Sequence, residues 1–207
     1  MLPTPDICGS ADTIRALLDG EGADPHSLLG AHPLTHDGEQ GIVVRAYHPR
    51  ARAAAVHLDD GQLLPMDPVD PGGVFAVFLP GRSFPLRYDV ELYFERGESW
   101  RGADAYSFAP TLGDLDLHLS GEGRHYRIFD KLGAHLREID GVRGTSFGVW
   151  APNARRVSVV GSFNDWDGRI HPMRVMGASG IWELFIPGVM RGEVYKFELK
   201  LPGGELR

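Results

Sequence analysis

The 207-residue chain has one cysteine, Cys8, so no internal disulfide can form and a reducing compartment is the simpler setting. No apolar stretch approaches the length needed to span a bilayer, and Met1 to Asp6 has neither the basic nor the apolar region of a secretory signal. Basic residues are outnumbered, 21 against 28 acidic, and the net charge of −7 leaves no basic stripe for a phosphate backbone. These absences point to a cytoplasmic protein with no nucleic-acid partner and no membrane. No Gly-x-Gly-x-x-Gly sits between a strand and a helix, so a nucleotide cofactor is not expected. His26, His32 and His36 fit no tight metal-ligand spacing and have no cysteine partner, so no metal is expected either.

What is present is an internal repeat. Arg45-Ala46-Tyr47-His48-Pro49-Arg50-Ala51 corresponds to Gly148-Val149-Trp150-Ala151-Pro152-Asn153-Ala154, about 103 residues later. Gly73 to Gly81 corresponds to Gly180 to Gly188, and Tyr88 to Tyr195, now about 107 residues later. The difference accumulates across Gly161-Ser162-Phe163-Asn164-Asp165-Trp166-Asp167, a tryptophan loop whose counterpart, His57 to Gly61, has no aromatic.

Short β-branched and aromatic runs with apolar alternation predict strands at Val43–Tyr47, Val74–Leu79, Arg87–Phe94, Ser146–Trp150, Arg156–Val160, Trp182–Ile186 and Tyr195–Leu201. The predicted class is all-β, two tandem immunoglobulin-like β-sandwiches with a short N-terminal helix and a packed connector. Ser10 caps that helix over Ala11–Asp19, with Gly20 at its stop. The expected division is 1–108 for the helix and first sandwich, 109–143 for the connector with a short helix at Tyr126–Leu132, and 144–207 for the second sandwich. The second copy ends soon after Gly204, where the first continues through Trp100 to Phe108. A fragment of a longer chain is therefore expected, cut before a further domain.

Trp150 and Trp182, lying in strand patterns, are expected in the core, and Trp166, in a polar turn, is expected outside it. An exposed indole edged by Asn164, Asp165 and Ser162 is suited to a neutral sugar, which offers apolar C–H faces and hydroxyls but no charge. Covering ~100 Å² of indole contributes about 2.5 kcal/mol gross, against about 4 kcal/mol for a millimolar dissociation constant, so such a site is weak. The same tryptophan could instead fold back as a lid on the core. Asp165 and Asp167 are close together, but beside a turn they serve as caps rather than as an acid and base pair.

The run Gly144 to Ala154, then Val157 to Trp166, then Gly180 to Gly188 and Tyr195-Lys196-Phe197-Glu198 resembles the glycogen-binding module of bacterial 1,4-α-glucan branching enzymes. Asp24-Pro25-His26-Ser27-Leu28-Leu29-Gly30-Ala31-His32-Pro33 is similar to the opening of their extra N-terminal domain, and Tyr126 to His135 to their connector. The resemblance implies that Trp166 and Lys196 touch α-glucan, glycogen or a linear α-1,4 chain, with Asn164 a hydrogen-bond partner. For Lys196, chemistry by itself gives only a solvated strand lysine. A second stacking tryptophan of related modules would fall near Leu206, which is not aromatic. The resemblance further implies that the catalytic carboxylates lie in a (β/α)₈ barrel beyond this chain, leaving no catalytic residues here and no activity in the fragment alone. The alternatives are a non-catalytic glucan-binding regulatory or scaffold protein, or the N-terminal modules of a debranching enzyme.

Overall fold

The computed structural model describes residues 4–22 and 24–207, Pro5 without its side chain. The chain divides into two compact units, one formed by the residues up to Asp19 with His26–Ser107, the other by Gly20–Pro25 with Phe108–Arg207. No helix among the described residues is long and apolar enough to cross a membrane, which leaves strands aside.

The first unit opens with α1 (Pro5–Cys8) and α2 (Ala11–Leu18). Ser10 caps α2 as the sequence predicts, its hydroxyl accepting from the Thr13 N–H, and Gly20 follows the helix at φ +63°. Seven strands follow: β1 (Gly30–His36), β2 (Glu39–Tyr47), β3 (Ala53–Leu58), β4 (Leu63–Asp70), β5 (Val74–Pro80), β6 (Tyr88–Tyr93) and β7 (Ser99–Ala103). All pairings are antiparallel, in the order β1-β2-β5-β4-β3-β6-β7. Leu63–Met66 of β4 pairs with β3, and Asp67–Asp70 pairs with β5 across a register shift, so β4 turns the corner between the two layers. Ile42, Val44, Val56, Phe75 and Val90 fill the space between them.

The second unit repeats the plan: α3 (Asp114–Gly121), β8 (Gly133–Ile139), β9 (Val142–Trp150), β10 (Arg156–Gly161), the short β11 (Arg174–Val175), β12 (Ile181–Pro187) and β13 (Tyr195–Lys200). One layer is β11-β12-β9-β8 and the other β10-β13. The seven predicted strands fall on β2, β5, β6, β9, β10, β12 and β13, and the all-β sandwich class holds. The repeat is longer than the sequence comparison suggested. Helices start at residues 11 and 114 and paired strands at 30 and 133, 39 and 142, 53 and 156, each an offset of 103. Within the stretch expected to be a connector lie α3, a 3₁₀ turn at Ile128–Asp130 and β8. His32 and His135 each place Nε2 against the carbonyl of the residue three before, Leu29 and Leu132, at 3.0 and 2.9 Å.

In each copy a buried charged side chain on the outer face ties the helical segment to the sheet. In the first copy Arg45 on β2 donates to the carbonyls of Ile7, Asp6 and Leu28. In the second, Glu183 on β12 accepts the N–H groups of Thr111 and Leu112 and the Thr111 hydroxyl. Arg45 stands opposite Ala76 and Glu183 opposite Gly148, so the equivalent cross-strand pair carries the clamp in both copies, on opposite strands and with opposite charge.

The helices differ in what they cover. In the first unit Tyr47, 8% exposed, is buried with Ile14, Leu28, Leu29 and Val74, with Leu17 and Leu18 packed alongside. An offset of 103 puts Ser120 and Gly121 in place of Leu17 and Leu18. Trp150, in place of Tyr47, is 61% exposed. This corrects the expected core position of Trp150. Strand alternation explains it, because Phe147 faces the core at 2% exposure and a residue three further along β9 must face away.

Helix α3 is held by Asp116, whose carboxylate takes the Gly113 N–H at 3.0 Å, His125 Nε2 at 2.9 Å and Lys131 Nζ at 2.9 Å. Burial pushes this carboxyl up, but the bonds from His125, Gly113 and Lys131 outweigh it and hold it at about 2. A carboxyl depressed in the folded state adds stability above its unfolded value near 3.8, and that stability is lost as pH falls through about 2. Discounted for solvent screening, about 1 kcal/mol of second-unit stability should disappear over that window. Denaturant titrations from pH 5 to 2 should register it, and Asp116→Asn should flatten the dependence.

Candidate functional site

The tryptophan loop begins where β10 ends. Ser162–Asn164 forms one 3₁₀ turn, then Asp165 and Trp166 both take left-handed backbone, φ +53° and +59°. For a bulky side chain this conformation costs on the order of 1–2 kcal/mol, and it persists only because the surroundings impose it. Asn164 supplies that constraint. Its Oδ1 accepts the Gly161 N–H at 2.9 Å, its Nδ2 donates to the Val159 carbonyl at 2.8 Å, and Nδ2 also lies 2.9 Å from His171 Nδ1. The Trp166 N–H closes the loop on the Gly161 carbonyl at 2.9 Å.

Inside the loop, Phe163 turns toward the core, its ring 6.5 Å from Phe147 and 5.8 Å from His171. Trp166 is instead 45% exposed. Ser162 Oγ donates to Glu193 at 2.8 Å, which fixes the loop's other rim. The Asp167 carboxylate is taken up by Arg169, with Oδ1 accepting from its N–H and Nε and Oδ2 from its terminal nitrogen at 2.7 Å. It caps the turn and is not poised for acid or base chemistry.

Lys196 lies on β13 opposite Val160 of β10. Tyr195 and Phe197 turn inward onto Phe147, with ring centroids 4.9 and 6.5 Å away, so alternation sends Lys196 and Glu198 to the opposite face. Glu198 is paired with Arg156, and the loop backbone crosses it so closely that a Cβ at Gly168 would collide with its carboxylate. The loop and Lys196 therefore share one face of the β10–β13 layer. Asn164, 4% exposed, lies beneath that face with both amide atoms engaged by the turn. Its signal in the sequence was the residue type; its burial came from the turn geometry. Trp182, 2% exposed, is in the core as expected, its indole N–H donating to the Ala151 carbonyl at 3.0 Å.

Trp166 thus leaves a half-exposed indole on a loop of a two-layer β-sandwich, with the loop's Gly168 against Glu198, two residues along β13 from Lys196. Residues 131–207 match the family described as Carbohydrate-binding module 48 (Isoamylase N-terminal domain), the class of the second sandwich. Residues 10–106 match the family described as alpha-1,4-glucan branching enzyme GlgB, N-terminal domain. The chain belongs to the N-terminal region of the 1,4-α-glucan branching enzyme family.

It is 44% identical over 194 residues to the 1,4-alpha-glucan branching enzyme GlgB of Cellvibrio japonicus, covering 92% of this chain and 26% of that protein. It is 49% identical over 180 residues to the enzyme of the same name from Myxococcus xanthus, covering 87% and 24%. With that of Leifsonia xyli subsp. xyli it shares 43% over 212 residues, covering 99% and 28%. The chain thus spans about a quarter of the length of these relatives.

Proposed function

We propose that this chain is the glucan-capturing N-terminal part of a cytoplasmic 1,4-α-glucan branching enzyme. The parent protein would cut an α-1,4 chain and transfer it to a 6-hydroxyl as an α-1,6 branch, using carboxylates that lie in a barrel outside these residues. The fragment binds and orients α-glucan and is inactive alone. Trp166 is the stacking platform, Lys196 borders it, and Asn164 acts by holding the turn that presents the indole.

The observation that carries this reading is the pair of left-handed residues that keeps Trp166 half exposed on the face shared with Lys196. A protein that needed only to cover its core would not hold a tryptophan in so costly a backbone conformation. Electrophoresis of the fragment through native gels tests it. Migration should slow as glycogen in the gel is raised, while equal concentrations of a β-linked glucan leave it unchanged. Identical mobility with and without glycogen would remove the proposal.

A further inference from the structure

The first sandwich has an exposed indole of its own, far along the sequence from the tryptophan loop. Trp100 lies on the edge strand β7 and is 49% exposed. In register it stands opposite Leu92, and Gly102 opposite Val90, both strand partners being buried in the core. A Cβ built on Gly102 would fall 2.7 to 3.5 Å from three atoms of the Trp100 six-membered ring. The indole therefore lies down along its own strand over the Gly102 backbone, on the same side of the sheet as Leu92 and Val90, and stays half exposed at the sheet edge.

A tight hairpin brings polar groups to the rim of this ledge. The Phe94 N–H donates to the Glu98 carbonyl at 2.9 Å and the Gly97 N–H to Phe94 at 3.2 Å. Glu95, in that hairpin, is paired with Arg52 at 3.0 Å. Such an exposed ion pair adds little stability, but it holds a planar guanidinium and a carboxylate in place at the hairpin. A flat apolar face with a charge-balanced polar rim is the chemistry that receives a neutral sugar ring.

The ledge is not a copy of the site on the second sandwich. There Leu199 and Arg207 exchange backbone hydrogen bonds at 2.8 and 2.9 Å, so Arg207 occupies the position of Trp100. The first copy, in turn, has no counterpart of the Trp166 loop. The first sandwich thus presents one indole, Trp100, and the second presents two, Trp150 and Trp166, neither of them at the position of Trp100 on the shared plan.

We infer that Trp100 is a second α-glucan platform, on the first sandwich and independent of Trp166. The inference rests on the reading that the chain binds α-glucan. Two weak platforms on one chain favour a long polymer over a short oligosaccharide, because binding at one raises the effective concentration at the other.

The test uses ¹⁵N-labelled fragment titrated with maltoheptaose, following the indole N–H signals, together with glycogen-gel retention of Trp100→Ala, Trp100→Phe and Trp166→Ala. The Trp100 and Trp166 signals should both move. Each alanine variant should lose retention by roughly threefold to tenfold, Trp100→Phe should lose less, and the double alanine variant should migrate as in gels without glycogen. The titration is made on the wild-type chain, so it stands even where Trp100→Ala fails to fold. If the Trp166 signal moves while that of Trp100 stays fixed, the second platform is refuted and glucan binding stands. If neither moves and the wild type is not retained, both ideas fall together.

Discussion

Replacing Glu183 by alanine is expected to lower the stability of the second unit by about 3–5 kcal/mol, the cost of leaving a buried charge without its partner. Glu183 is 1% exposed. One carboxylate oxygen takes Arg174 Nε at 2.9 Å and its terminal nitrogen at 2.5 Å, and the other takes the Thr111 and Leu112 N–H groups and the Thr111 hydroxyl at 2.8 to 3.2 Å. Alanine would strand the Arg174 guanidinium and orphan two backbone donors at once. For a unit near 100 residues this corresponds to a melting temperature lower by ~15 °C or more. Glu183→Gln should fall between, because its amide oxygen can still accept but its NH₂ group meets donors. Adding Arg174→Met to the alanine variant should recover part of the loss, since the stranded charge is gone. Urea unfolding followed through the environment of Trp182 would measure these differences, and a loss below about 1 kcal/mol for alanine would contradict the clamp.

Trp166→Gly should separate binding from stability. Removing the platform forfeits at most about 2.5 kcal/mol of gross contact, part of which the remaining platform offsets, so glycogen retention should fall by roughly threefold to tenfold, as for Trp166→Ala. Glycine adopts φ near +60° without penalty, so the strain now carried at this position is released and the melting temperature should hold or rise. Trp182→Gly, by contrast, would empty the core and should unfold the unit. A Trp166→Gly variant that loses more than about 2 kcal/mol of stability yet still binds glycogen would make the indole a lid on the core.

Sequence reading reached the strands whose composition matches their role. Val43–Tyr47 and Trp182–Ile186 are dense in β-branched and aromatic residues because both faces of those strands are covered. It passed over β1 and β8, which begin Gly-Ala-His and carry few such residues, although Leu-Gly-Ala-His recurs at 29–32 and 132–135. It also passed over α3, where Leu115, Leu117 and Leu119 alternate with period two, the spacing of a strand. Tertiary bonds through Asp116, rather than local pattern, make that segment helical. At the site, the exposure of Trp166 followed from its polar turn. The burial of Asn164 did not, because the same amide chemistry serves a ligand or a backbone, and only the path of the loop decides between them.

The inverted clamp bears on how a duplicated chain sorts its own parts while folding. Two halves with matching strand lengths and helix positions could in principle trade helical segments, a characteristic failure of repeat proteins. Arg45 accommodates only a segment that turns carbonyls toward it, and Glu183 only one that turns N–H groups toward it. A segment docked on the wrong sheet would bury a guanidinium against donors or a carboxylate against acceptors, an arrangement that carries a large desolvation cost. The charge reversal gives each half a lock that the other half's key does not fit.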